Sequence, residues 1–174
     1  MQRTEVFFVL SRFFHTFANK HKTDAMKHTL NMPPAKLKLT KQRGVMKVWD
    51  ILRGKWVKFT PEEWVRQTFC HWMTGELGYP AARLGNEIAI EQNGMRRRCD
   101  SIFYDTEGRP AIIIEYKAPY VPLTERVLDQ AIRYNMVLRV PRLFISNGME
   151  HWSVEIDENS TPHIKRSVPE YKDL

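Results

Sequence analysis

The chain has only two cysteines, Cys70 and Cys99, and neither stands in a CxxC pair. Nothing here suggests a disulfide framework or a thiolate zinc site, and a reducing cytoplasm is the expected location. The six histidines, at positions 15, 21, 28, 71, 151 and 163, form no HxH or HxxxH spacing and read as incidental. No apolar run reaches the roughly 18 residues that a membrane helix needs. Residues 6–17, VFFVLSRFFHTF, are broken by Ser11 and Arg12 and followed by no small-residue cleavage site, so they do not read as a secretory signal. Because residues 1–30 look unlike the rest, a start further along, at Met26 or Met32, is a hypothesis that the sequence invites. No internal repeat or low-complexity tract is present, which argues against a solenoid.

What is present suffices for one ordinary domain: 174 residues, 43% of them hydrophobic. The net charge of +7 is unevenly placed, with 13 Lys+Arg against 3 Asp+Glu in residues 1–58 and 14 against 17 in residues 59–174. The expected division is a basic, partly ordered extension over 1–58, a domain over 59–158 and a tail over 159–174. The extension reads either as an arm that grips phosphates or as a solvated leader.

Within 33–58, Pro33-Pro34 precedes the alternating basic and apolar run KLKLTK, and then VMKVWDILRGKWVKF, which reads as a short helix or strand pair. Thr60-Pro61-Glu62-Glu63 is a helix start, with Thr to cap, Pro at the first position and a T-x-x-E box. Val65, Phe69, Trp72 and Met73 then give an apolar face to a helix over about 61–77. From residue 86 the period becomes two: NEIAIEQ, Asn93-Gly94 and RRRCDSIFYD read as a hairpin with a type I′ turn. AIIIEYKA reads as a third, buried strand, TERVLDQAIRYNMVL as a second helix, and RLFISNGMEHWSVEI as two further strands. The tail TPHIKRSVPEYKDL reads as irregular surface chain.

Glu115 and Lys117 are two apart on the third expected strand, so both leave the same face where a buried strand ends. An ExK pair alone is most often a surface ion pair. Asp100, one hairpin upstream, changes that weighting, because its carboxylate can converge with that of Glu115 into an all-oxygen site suited to Mg²⁺. Lys117 then has a task, orienting an attacking water and stabilising charge that develops on a phosphate.

Arg98-Cys99-Asp100, fourteen intervening residues and Glu115-Tyr116-Lys117-Ala118-Pro119 resemble the D-x(n)-ExK motif of the PD-(D/E)xK nucleases. With Gln130 and Tyr134 in QAIRY and the segment FISNG, residues 60–150 resemble the N-terminal nuclease domain of type I restriction enzyme R subunits. The resemblance implies an α/β, restriction-endonuclease-like αβββαβ core with a central mixed sheet flanked by helices. It also implies that Asp100 and Glu115 bind Mg²⁺, with Mn²⁺ as a substitute, and that Lys117 assists the water. Gln130 and Tyr134 would line the site or touch the DNA backbone. An added acid from the first helix would be Glu63, with Glu62 as second choice, although capping alone explains Glu63. Arg98 would contact phosphate or, equally, pair with a carboxylate.

The expected function is a metal-dependent deoxyribonuclease acting on DNA, with other restriction-modification or helicase subunits as possible partners and no membrane. The sequence has no GxxxxGK[ST] phosphate loop, so no helicase motor is expected within it. The alternatives are a nucleic-acid-binding or interaction module with a vestigial site, and a structural domain in which Glu115 and Lys117 form only an ion pair.

Overall fold

The structure, a computed structural model, describes residues 29–92, 95–159 and 161–174. Helix α1 spans Pro61–Gly75, and Thr60 Oγ1 accepts the Glu63 N–H at 3.1 Å. Its buried stripe of Val65, Phe69, Cys70 and Met73 packs on Ile112, Ile114, Tyr116 and Phe144. Removing one such buried side chain, Phe69 for example, would cost about 3–5 kcal/mol.

The main sheet has six strands in spatial order β4 to β9. They are β4 Leu84–Gln92, β5 Met95–Tyr104, β6 Pro110–Tyr116, β7 Arg142–Ser146, β8 His151–Ile156 and β9 Pro162–Lys165. Helix α2, Glu125–Leu138, crosses between β6 and β7 and makes that pair parallel; the other neighbours are antiparallel. Both faces of β6 are covered, Ile112 and Ile114 by the α1 layer and Ile113 by Val127, Leu128 and Ala131 of α2. That double cover explains the unbroken apolar run before Glu115. The architecture is the expected mixed α/β, restriction-endonuclease-like core. Gln92 pairs with Met95 across the hairpin tip, while the expected type I′ turn at Asn93 and Gly94 lies outside the described residues.

Of the two expected alternatives for VMKVWDILRGKWVKF the strand pair forms, β2 Val45–Asp50 with β3 Lys55–Lys58, and β1 Leu39–Gln42 joins it to make a separate antiparallel sheet. Arg43 and Gly44, with φ of 49° and 81°, form the β1–β2 turn, a conformation in which the twist suits paired strands. The inner face packs Val48 and Val57 with Phe59 and Trp64. Asp50, fully buried, fastens this sheet to the core: it accepts the Leu52 and Arg53 N–H groups and the Asn86 side-chain amide.

Two expectations outside the site are corrected. His151 is not incidental: its Nε2 donates to the Asn31 carbonyl at 2.8 Å, so Nδ1 of the neutral ring accepts the Ser146 hydroxyl at 2.8 Å. This anchors Leu30–Met32, with Met32 buried in the core and Gly148 (φ 83°) so close that a Cβ there would lie 2.7 Å from Leu30. Nor is the tail irregular surface chain. Besides β9 it buries Val168 and seats Tyr171 against Tyr79 and Phe103, with the Tyr79 hydroxyl donating to the Pro169 carbonyl at 3.0 Å.

Candidate active site

Asp100 lies where β5 loses its regularity. Cys99 and Ile102, three residues apart, both pack on the α2 side, so side-chain alternation breaks between them. Glu87, which the β4–β5 register would pair with Asp100, has φ 57° and drops out of the ladder. On the other side, pairing with β6 stops at Ser101–Ile114, and Asp100 Oδ2 accepts the Tyr116 N–H at 2.9 Å. A side chain here replaces a backbone partner, and the carboxylate is thereby fixed at the opening between β5 and β6.

Glu115 and Lys117 flank Tyr116 at the end of β6, with the Lys117 N–H bonded to the Ser146 carbonyl so that the chain stays beside β7. Glu115 Oε1 accepts from Lys117 Nζ at 2.7 Å and from the Gln130 amide at 2.8 Å; Lys117 also donates to Gln130 Oε1 at 3.3 Å. Strand and helix therefore hold one triangle of acid, amine and amide. Glu115 Oε2 accepts no hydrogen bond from the described residues.

Arg66 of α1 is 4% exposed and gathers the remaining acids. Its guanidinium donates to Asp100 Oδ1 at 3.0 Å, to Glu63 Oε2 at 3.1 Å and to Glu87, while Glu62 lies 3.9 Å away. Such a cation loses its hydration on burial, and only several carboxylates in contact offset that loss.

The electrostatics follow from this placement. Burial, and then the charge of Asp100, push Glu115 up to about 7 against the pull of Lys117. Asp100 is raised by burial, opposed by Arg66 and by the Tyr116 N–H. Glu62 is raised by burial and by Asp100. Burial works against the charge of Lys117, but its hydrogen bond to Glu115 and the fields of Glu115, Asp100 and Glu62 outweigh it and raise its pKa. Negative charge is thus in excess at one opening, which a hard divalent cation would relieve. Asp100 and Glu115 offer oxygen donors of the kind Mg²⁺ takes with substrate phosphates and water. Among the described residues no three His, Cys, Asp or Glu side chains are gathered as a metal set.

Residues 61–169 match the family described as Type I restriction enzyme R protein N terminus (HSDR_N). The chain belongs to this family. No curated protein matches the chain. In this R-protein N-terminal domain, Asp100, Glu115, Lys117 and Gln130 come together, whereas Glu63 and Arg98 are engaged elsewhere. Glu63 is held by Arg66, Gln67 and Arg53 instead of facing Asp100. It is Glu62 that shares the field of Asp100 and Lys117. Arg98 takes the carboxylate alternative, donating to Glu87 at 2.7 Å on an exposed surface. Tyr134 follows Gln130 by one turn of α2, but its side chain lies outside the described residues.

The sequence reading missed Arg66 and Glu87. The spacing of Glu62, Glu63 and Arg66 is legible as helical ion pairing. No local signal reveals that Arg66 also crosses to β5, or that Glu87 leaves its ladder.

Proposed function

We infer that this domain is a metal-dependent deoxyribonuclease that hydrolyses DNA phosphodiester bonds by water attack. The observation that carries the reading is the Glu115–Lys117–Gln130 triangle beside Asp100 at the open end of β6, in a chain of the restriction R-protein N-terminal family. Asp100 and Glu115 would hold Mg²⁺, or Mn²⁺ in its place. When bound, the cation supplies Lewis acidity, polarising a phosphoryl oxygen and favouring deprotonation of the attacking water. Lys117, held by Glu115 and Gln130, orients that water and offers positive charge to the phosphate as negative charge builds on it. Glu62 is the acid of α1 placed to add to the anionic field.

One observation favours a second reading, a nucleic-acid-binding module with a vestigial site: Arg66 already occupies Asp100 Oδ1. Incubating the protein with supercoiled and linear DNA in Mg²⁺, Mn²⁺ or chelator separates the two. The nuclease reading expects metal-dependent conversion of supercoiled DNA to nicked or linear products, with none in chelator. Bound but intact DNA in both metals would favour the module.

A further inference from the structure

We propose that the outer face of the β1–β3 sheet is a binding platform for a single-stranded stretch of DNA, with Trp49 and Trp56 stacking on bases and Lys38, Lys47 and Lys58 on phosphates. This deepens the nuclease reading and rests on it for the choice of DNA. Alternation along β2 and β3 sends Val48 and Val57 inward and leaves Lys47, Trp49, Trp56 and Lys58 on the opposite face. The register sets these residues in rows. Trp49 pairs with Trp56, and the Trp49 N–H bonds the Lys38 carbonyl at 3.0 Å; the next row joins Thr40, Lys47 and Lys58. The indoles meet edge to face at 5.3 Å, and Trp56 remains 36% exposed.

Charge selects the occupant. Between residues 29 and 58 the sole acid is Asp50, which is buried and bound to Arg53, so every exposed charge there is positive. Lys38, Lys47 and Lys58 pair with no carboxylate among the described residues. Lysines interleaved with paired aromatics on an antiparallel face suit an unstacked strand, whose bases stack and whose phosphates need cations. A duplex hides its base faces and would use only the lysines. The platform is also wired to the candidate active site, because Arg53 in the β2–β3 turn reaches Glu63 at 3.5 Å, and Glu63 holds the Arg66 that binds Asp100.

The test is fluorescence anisotropy of the full chain with labelled oligo(dT), oligo(U) and a blunt duplex, in chelator so that nothing is cut. Variants are Trp56→Ala, Trp56→Phe and Lys47→Gln/Lys58→Gln, each first shown to unfold near the wild-type temperature. Trp56→Ala should weaken oligo(dT) binding about tenfold and Trp56→Phe only slightly, while duplex binding changes less than about twofold. The lysine pair should weaken both and lower the single-strand salt slope by roughly 1.4. Oligo(dT) affinity unchanged in Trp56→Ala, or equal losses for single strand and duplex, would overturn the proposal, as would binding to oligo(U) alone. Should a segment within residues 1–28 cover the face instead, deleting 1–28 would strengthen binding while Trp56→Ala had no effect in the intact chain, again overturning it. The two readings fail separately. DNA cut by wild type with Trp56→Ala binding normally removes the platform alone, and Trp56-dependent binding without cleavage in Mg²⁺ or Mn²⁺ removes the nuclease alone.

Discussion

The two charged regions of this molecule handle charge in opposite ways. Around α1 and β4–β6, Arg66, Glu63, Glu115 and Asp100 are largely withdrawn from water, and each makes a direct contact with an opposite charge or hydrogen-bond donor. On the β1–β3 sheet, Lys38, Lys47 and Lys58 face outward with no carboxylate among the described residues to meet them. A charge in a low-dielectric setting fixes geometry and shifts its neighbours' protonation, at the cost of desolvation. A charge in water holds no geometry, but it attracts a polyanion over about a Debye length. The first arrangement suits chemistry at one bond, the second capture of a long substrate.

Lys117→Ala is the substitution with the largest expected effect on activity. If the buried set performs the chemistry, cleavage of supercoiled DNA should fall by about 10²–10³-fold. Thermal unfolding of the variant must stay near wild type for the result to count.

Arg66→Ala probes stability on the same side of the comparison. Removing it takes from Asp100, Glu63 and Glu87 the buried cation they share, leaving only their weaker contacts with the Tyr116 N–H, Gln67, Arg53 and Arg98, so urea unfolding should show a loss of about 3–5 kcal/mol. A loss below about 0.5 kcal/mol would mean that water reaches these acids freely and that the contrast between the regions is false.

The proton sharpens the comparison further. Glu115, raised to about 7 by burial and by Asp100, binds a proton in the folded chain at pH values where an unfolded glutamate has lost it. Stability should therefore decline as pH rises from the ordinary glutamate range towards 7, then level off. Glu115→Gln should flatten that decline in thermal melts. A cation competes with the same proton, so metal affinity should drop by up to about tenfold per pH unit below 7.

Smallest of all should be the effect of Lys47→Gln/Lys58→Gln on unfolding, within about 0.5 kcal/mol, since Lys58 is exposed, Lys47 is only half-buried, and neither meets a carboxylate among the described residues. A large loss in chemical denaturation would move them into the partnered class.

The fold was legible wherever a local rule had no rival. The Thr60 cap, the period-two hairpin and the apolar run before Glu115 each specify one element, and Glu115 with Lys117 was readable because two residues on a strand share a face. What was not legible depends on long-range contact. Residues 39–58 mix lysines with apolar residues at a spacing that fits helix or strand, and only packing on Phe59 and Trp64 decides for a sheet. Val168 and Tyr171 look isolated in a polar tail, yet they complete the core beside Tyr79. The partners of Glu63 and Glu62 were not legible for the same reason, since which of two adjacent helix residues meets Arg53 and Gln67 and which feels the charge of Asp100 is set by the docking of α1. The anchoring of Leu30–Met32 also changes how the basic leader should be tested: removing residues 1–32 would take Met32 from the core, so a deletion for DNA binding should stop at residue 28.

Calorimetric titration of Mg²⁺ into the folded wild type, Asp100→Ala and Lys117→Ala tests the central claim most directly. If Asp100 and Glu115 hold the cation while Lys117 acts on water and phosphate, wild type and Lys117→Ala should bind Mg²⁺ with similar affinity and Asp100→Ala should bind little. Equal binding to folded Asp100→Ala and wild type, or none to wild type in either Mg²⁺ or Mn²⁺, would contradict the assignment of this site.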